Sequence, residues 1–473
     1  MSGTITISSI DLLNAIYQQL KSQITKEPEI ANQGYSYIIW TDGTNYYAKN
    51  GKTGQIDFSG TDASTVIQNA INNLTPNRTW KEVVKLKGVF YVSTISLPSY
   101  TVLDLREATL IMKNNVNNNM INAIHASNVE IIGGIIDGNK ANQTQGHGIY
   151  VAYSDSQSFR IYGVEIRNFK GNGIYIYSYV SNGEISNCVI HDNEWSGIDL
   201  DDHILETIVT GNTIYNNGLH GIMIDTAGLR NVISGNVVYL NGASGIELYS
   251  DAPGYESYGT AIVGNTCWQN RYHGIEVNQY QSGILITGNS CVENNMHGIR
   301  VYNSRDIVIA GNMCARNGTS GQPYDGINVY DCYNVTITGN RCFDDRSPRV
   351  QRYGISLEGS GGYHIVIGNN PADNTSGTIN VGSGLQGCVV RYNRGYVTEN
   401  GGTVTFSGNN SATQFKIPHG LFSAPTKILV TPGSNDAKGT FYVTADSTYI
   451  YVNYATAPPS GTNNVVLYWY AET

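Results

Sequence analysis

From about residue 148 onward the chain alternates apolar and polar residues in short runs, and the runs recur. The word Gly-Ile-x-(Val/Ile/Leu) begins at Gly148, Gly173, Gly197, Gly221, Gly245, Gly274, Gly298, Gly326 and Gly354. A second word, Gly-Asn, supplies Asn212, Asn236, Asn265, Asn289, Asn312, Asn340 and Asn369. The step is roughly 24 residues, within the range of stacked repeat units. Runs such as Ile275-Glu276-Val277 and Ile284-Leu285-Ile286, set between Gly and Asn turns, predict strands rather than helices. A propeller or sandwich would also have short strands. Like residues at like positions of successive repeats, with no long helical pattern between them, favour a right-handed parallel β-helix. Its equivalent strands then lie about 4.8 Å apart. Asparagine side chains at the turn can pair from coil to coil.

The ends depart from this rhythm. Leu13, Tyr17, Leu20 and Ile24 mark a short coiled-coil seam or an amphipathic surface helix. Asp42-Gly43 and Asn50-Gly51 predict hairpin turns. Val66, Ile67, Ala70, Ile71 and Leu74 have helical spacing after a Thr61 or Asp62 cap, which suits a plug for the open end of the stack. Residues 402–473 read as short strands of a small β-sandwich. The expected layout is an attachment and oligomerisation segment over 1–58, a β-helix over 59–398 and a sandwich over 402–473, all-β except for the helical pieces.

In Gly-Ile-x-Val-x the Ile and Val face inward, so each x faces out. The first x gives the column Tyr150, Tyr175, Asp199, Met223, Glu247, Glu276, Arg300, Asn328, Ser356. The second gives Ala152, Tyr177, Asp201, Asp225, Tyr249, Asn278, Tyr302, Tyr330, Glu358. His147, His220, His273 and His297 each precede a repeat glycine. Acids cluster in the middle coils with tyrosines on both sides. Like charges stacked at strand spacing repel, which points to a ligand, a metal or raised pKa values; the plainer alternative is a solvated polar face. Longer steps at 251–259, 319–324 and 344–353 mark loops suited to walling a groove, the first carrying Tyr255.

Composition narrows the partners. Charged residues are 14% of the chain and the net charge is −9, unsuited to phosphate-rich nucleic acid. No stretch predicts a membrane span or a Sec-type signal, so an extracellular or virion-surface location would need another route. Cys267, Cys291, Cys314 and Cys342 share one inward phase and predict a buried thiol column; Cys188, Cys332 and Cys388 stand outside it.

Two chemistries fit the acids. In glycoside hydrolysis, one carboxylic acid protonates the leaving oxygen and another activates water or attacks. Asp199, Asp201, Asp225, Glu247 and Glu276 are the candidates, with His220 and Arg300 beside them. Tyr175, Tyr177, Tyr249, Tyr255, Tyr302, Tyr330 and His273 are candidate sugar-binding groups. In the alternative, Asp199, Asp201, Asp202 and Asp225 bind Ca²⁺, as in a polysaccharide lyase or C5-epimerase. A glycan-binding fibre or a coat protein without catalysis is a third possibility.

Gly60-Thr61-Asp62 with its helix, Val89-Phe90-Tyr91-Val92 and the Gly-Ile/Gly-Asn coils together resemble the pectin-lyase-like β-helix superfamily over about residues 55–394. The order of parts, with Phe415-Lys416-Ile417-Pro418-His419-Gly420 and Pro458-Pro459-Ser460-Gly461 near the end, resembles phage or thermophile-virus tailspikes. That resemblance implies a homotrimer that binds or cuts polysaccharide. Gly197-Ile198-Asp199 with Asp201-Asp202-His203 resembles the mannuronan-epimerase segment Gly-x-Asp-Pro-His, but Leu200 replaces Pro and the His is displaced. Asp201-Asp202 and His220-Gly221 resemble pieces of the polygalacturonase signature, whose Asn-Thr-Asp and Arg-Ile-Lys are absent.

Overall fold

The computed structural model describes residues 34–153 and 155–473; the Leu13–Ile24 seam lies outside them. Each coil contributes three short strands. The Gly-Ile words form the front sheet, twelve strands stacked in chain order from Ile95–Ser96 to Gly377–Val381. The other two strands of every coil run in the long 25-stranded sheet. Pairing is parallel and in register, so Ile198 lies over Ile222 and Ile222 over Ile246. These isoleucines are fully buried, and leucine, valine and isoleucine two residues on complete the inner wall. Cys267, Cys291, Cys314 and Cys342 pair in one buried column, as expected, and no described cysteine forms a disulfide.

The two repeat glycines serve different needs. Gly264 and Gly288 have φ of +65° and +64°, the left-handed corner that favours glycine. Gly274 lies under the next coil, where a Cβ would stand 2.6 Å from the Gly298 carbonyl oxygen. After each left-handed corner comes the repeat asparagine. Asn265 Nδ2 donates to Asn289 Oδ1 (3.0 Å), Asn289 Nδ2 to Asn312 Oδ1 (3.0 Å), and so on down to Asn393. The backbone N–H of each residue donates to the same oxygen, and its Nδ2 also reaches a carbonyl of the preceding coil. Cys188, standing at the repeat-Asn position, donates its backbone N–H to Asn212 Oδ1 and so begins this ladder.

A second ladder, not expected from the sequence, turns the corner into the front sheet. It runs Asn193, Asn217, Asn241, Asn270, Asn294 and Asn317, passes through Gln351 and ends on Asn374. Its asparagines stand five residues after those of the first ladder, or after Cys188, a spacing visible in the sequence; Gln351, beyond a longer loop, does not.

The Ala63–Asn72 helix starts at Asp62, whose side chain accepts from the Ser64 N–H (3.0 Å). Its apolar face is buried, and Gln68 bonds the backbone of Ser96 in the first front strand. The Tyr37–Thr41 strand pairs in parallel with Glu82–Val92, so the two N-terminal hairpin turns belong to the long sheet. At the other end, two three-stranded antiparallel sheets pack around Phe415, Ile417, Ile450, Val452, Val465 and Leu467. Tyr396 at the end of the coils stacks on Phe422 at 4.0 Å. Among the described residues no helix is long and apolar enough to cross a membrane.

Asn289→Ala removes one rung and strands buried amides on both sides. It is expected to cost about 1–3 kcal/mol, whereas Gln269→Ala on the surface should change stability by under about 0.5 kcal/mol. Denaturant unfolding of both variants checks this.

Candidate functional site

The front sheet presents its two outward columns as an open face. Register sets which side chains meet. Tyr150, Tyr175 and Asp199 lie in consecutive coils of one column; Tyr177, Asp201, Asp225 and Tyr249 lie in the other. Along a strand, positions two apart are about 6.7 Å apart at the backbone, and adjacent coils about 4.8 Å. Asp201 and Asp225 are therefore direct neighbours, and Asp199 lies diagonally about 8 Å from Asp225.

The aspartates differ in environment. Asp199 Oδ2 accepts from Asn172 Nδ2 (2.9 Å), while its Oδ1 is buried without a partner. The residue keeps a partly exposed edge, while its Oδ1 is buried. Burial, then the charges of Asp201 and Asp225, raises its pKa to about 8. Asp225 rises to about 6, mainly by burial. Asp201 also rises by burial, but the Tyr175 hydroxyl, 2.7 Å from its Oδ2, opposes the rise. Near neutrality the site holds one protonated carboxyl beside carboxylates that can ionise.

Aromatic rings bound the aspartates. Tyr175 stacks against Tyr150 (5.5 Å) and meets His147 (4.7 Å) and Tyr177 (5.7 Å) at a tilt. Trp195, half exposed, meets His147 edge-on at 5.6 Å. Across the face, the exposed Tyr255 sits 5.9 Å from His203, which stacks on Tyr179. Further along, Tyr302 and the exposed Tyr330 lie 5.9 Å apart, with Arg300 over the Tyr302 ring. Tyr249 is half-buried between Asp225 and Asn278 in register.

The glutamates form a different group. Glu247 and Glu276 are in register and only 6% and 4% exposed. Glu276 Oε1 accepts from Arg300 (2.8 Å) and Oε2 from Ser244 (2.8 Å). Glu247 accepts from Asn278 (3.1 Å), and its Oε2 lies 3.0 Å from His220 Nδ1 without an aligned hydrogen bond. Burial alone would lower the His220 pKa; Glu247, Glu276 and Asp199 together raise it. These two acids are occupied as partners within the protein, whereas each aspartate has a single side-chain donor: Asn172 for Asp199, Tyr175 for Asp201 and Thr226 for Asp225.

Two expectations are corrected. His273 is not an exposed sugar contact: it is 4% exposed, stacks on His297 at 5.3 Å and accepts the His297 N–H. Asp199, Asp201, Asp202 and Asp225 do not gather as calcium ligands. Asp202 pairs with His203 at 2.7 Å, and no group of three or more His, Cys, Asp or Glu among the described residues is arranged to hold a metal ion. Sequence reasoning missed Asn172, Ser244 and Asp325, which precede repeat glycines as the histidines do. Asp325 is buried and binds Arg352 through both oxygens (2.8 and 2.7 Å). A pocket of about 570 Å³ lies away from this chemistry, between the last coil and the sandwich beside Tyr396 and Phe422. An open face suits a polymer crossing it more than a small enclosed ligand.

A family profile described as right handed beta helix region matches residues 119–256 and 254–416. Among solved structures the chain is similar to the A-module of Azotobacter vinelandii mannuronan C-5 epimerase AlgE6. That match has a TM-score of 0.62 and 19% identity, over 70% of this chain and 95% of that one. It is similar to the Dettilon tailspike protein (TM-score 0.57, 15% identity, 97% and 100% covered). It is also similar to the tailspike of E. coli bacteriophage HK620 in complex with a pentasaccharide (TM-score 0.53, 10% identity, 87% and 90% covered). No curated protein matches it. At these identities the shared property is the fold.

Removing the Tyr175 hydroxyl should raise the Asp201 pKa, since its hydrogen bond favours the carboxylate; carboxyl titration of Tyr175→Phe by NMR checks this. Asp199 has a folded pKa above its unfolded value. Its contribution is full below the ordinary carboxylate range and is lost as pH rises toward about 8. Asp199→Asn, which mimics the protonated carboxyl, should therefore lose less stability than wild type over that window, as read by unfolding at several pH values.

Proposed function

The chain belongs to the right-handed β-helix family, and from that premise we propose that it is a glycan-degrading protein, a glycoside hydrolase working on its front face. The observation that carries the reading is the Asp199–Asp201–Asp225 group. One acid is held protonated by burial and by its neighbours' charge, on an open face lined with tyrosines. Asp199 gives its proton to the glycosidic oxygen as the bond to the anomeric carbon breaks. Asp225, ionised above about pH 6, removes a proton from the water that attacks that carbon. Their backbones stand about 8 Å apart on the diagonal, from which side-chain rotamers can reach the carboxyl separation of roughly 6.5–9.5 Å that leaves room for water and goes with inversion of configuration. Asp201, held by Tyr175, acts on the other two through its charge.

The epimerase likeness suggests a lyase or epimerase with a tyrosine as proton carrier. Tyr175 is poorly suited to that role: burial and the hydrogen bond to Asp201 push its phenol far above the ordinary range. The tailspike likeness extends the proposal to an extracellular or virion-surface trimer that grips cell-surface glycan.

The test is release of reducing ends from a polysaccharide panel, read beside the ultraviolet absorbance of unsaturated products, with and without Ca²⁺. Reducing ends without absorbance are expected. The rate should rise as pH passes about 6, where Asp225 ionises, and fall as it passes about 8, where Asp199 loses its proton. Asp199→Asn should lower kcat about 100- to 10,000-fold. Absorbance gain would move the reaction to a lyase. Glycan binding without any product would leave a binding protein.

A further inference from the structure

The front face carries many acids and almost no available positive charge. Its two outward columns hold one basic side chain, Arg300, and Nη1 of that residue lies 2.8 Å from Glu276. Arg352 at the flank is bonded to both Asp325 and Glu358. Lys170, in the turn that enters the face, is 2.6 Å from Glu194. Arg271 stands at the same turn position as Lys170, three residues before its repeat glycine, and borders a pocket with Leu240, Gln269 and Glu293 rather than lying in the two outward columns.

The histidines add little. His147, His273 and His297 are held neutral by burial, and His220 stands opposite Glu247. His203 is paired with Asp202. Against these stand Asp201, Asp225, the exposed Asp251 and the already paired Asp202 and Glu358. Among the described residues, a carboxylate or sulfate on a sugar seated over the two outward columns would meet no uncommitted cation within those columns. It would lose water without gaining a partner, and would lie within a few ångströms of like charges. The tyrosines at both ends of the face instead offer flat apolar surfaces and hydroxyl tips, which suit uncharged pyranose rings.

We propose that the glycan taken by this face carries no anionic group along the stretch lying between Tyr175 and Tyr330: a neutral polysaccharide rather than a polyuronate or a sulfated chain. The proposal rests on the hydrolase reading above and names its substrate class.

The test uses full-length Asp199→Asn, in which the proposed proton donor is removed and the groove charge is kept. Its binding is measured on a glycan panel of matched pairs that differ only in the acidic group: hexose against the corresponding uronic acid, and desialylated against sialylated chains. At low salt the neutral member of a bound pair should bind at least about tenfold more tightly. High salt should narrow the gap by weakening binding of the acidic member less, or strengthening it. Glu358→Gln should narrow it too. Wild-type cleavage of the same panel is scored separately. Preference for the acidic member overturns the substrate class; if that member is also cleaved to reducing ends, the hydrolase reading survives. Absence of both binding and cleavage for every pair overturns the two together.

Discussion

A coil built from three short strands leaves amides and carbonyls at its corners outside the sheet ladders, and stacking removes them from water. The structure depends on how those groups are satisfied. Asn289 illustrates the solution. Its Oδ1 accepts from both the backbone and the side chain of Asn265, and its own Nδ2 reaches the Ile262 carbonyl. Repeated at two corners, this arrangement fixes each coil on the next without a register shift. Isoleucine then lies on isoleucine and cysteine on cysteine, and the core is filled by identical layers.

The same translation that stacks apolar residues also stacks charges. Asp201 lies over Asp225, and Glu247 over Glu276. The chain handles the two pairs in opposite ways. Around the glutamates it supplies His220, Asn278, Ser244 and Arg300. Around Asp199 it supplies one amide from Asn172 and leaves Oδ1 without a partner. Burial and Glu247's charge still raise the Glu276 pKa, with Arg300 and Ser244 opposing the rise, whereas at Asp199 only the Asn172 amide and the charge of His220 oppose it. A stress of this kind, retained on a face lined by rings, is the observation that supports the proposed site.

Much of the architecture was legible because it is periodic. The Gly-Ile columns, the first asparagine ladder and the thiol column follow from position within the repeat, and the Asp62 cap from local chemistry. The outward columns placed the aspartates and tyrosines on one face. What the sequence did not disclose depends on corners and loops. His273 precedes a glycine where the chain turns, so alternation could not tell that it lies buried against His297. The Arg352–Asp325 pair joins residues separated by an irregular loop that is itself organised around buried Asp344. The difference between the glutamates and the aspartates depended on the contacts of Asn172, Ser244 and Arg300, which their places in the repeat do not reveal.

The central claim is that Asp199 is protonated at neutral pH, and it can be measured directly. Infrared difference spectra between wild type and Asp199→Asn, recorded through a pH titration, isolate the carbonyl band of that one carboxylic acid. The band should persist through pH 7 and disappear with a midpoint near 8. A band lost by about pH 5, in the ordinary carboxylate range, would mean that the aspartate group is solvated like any surface acid, and would contradict the account.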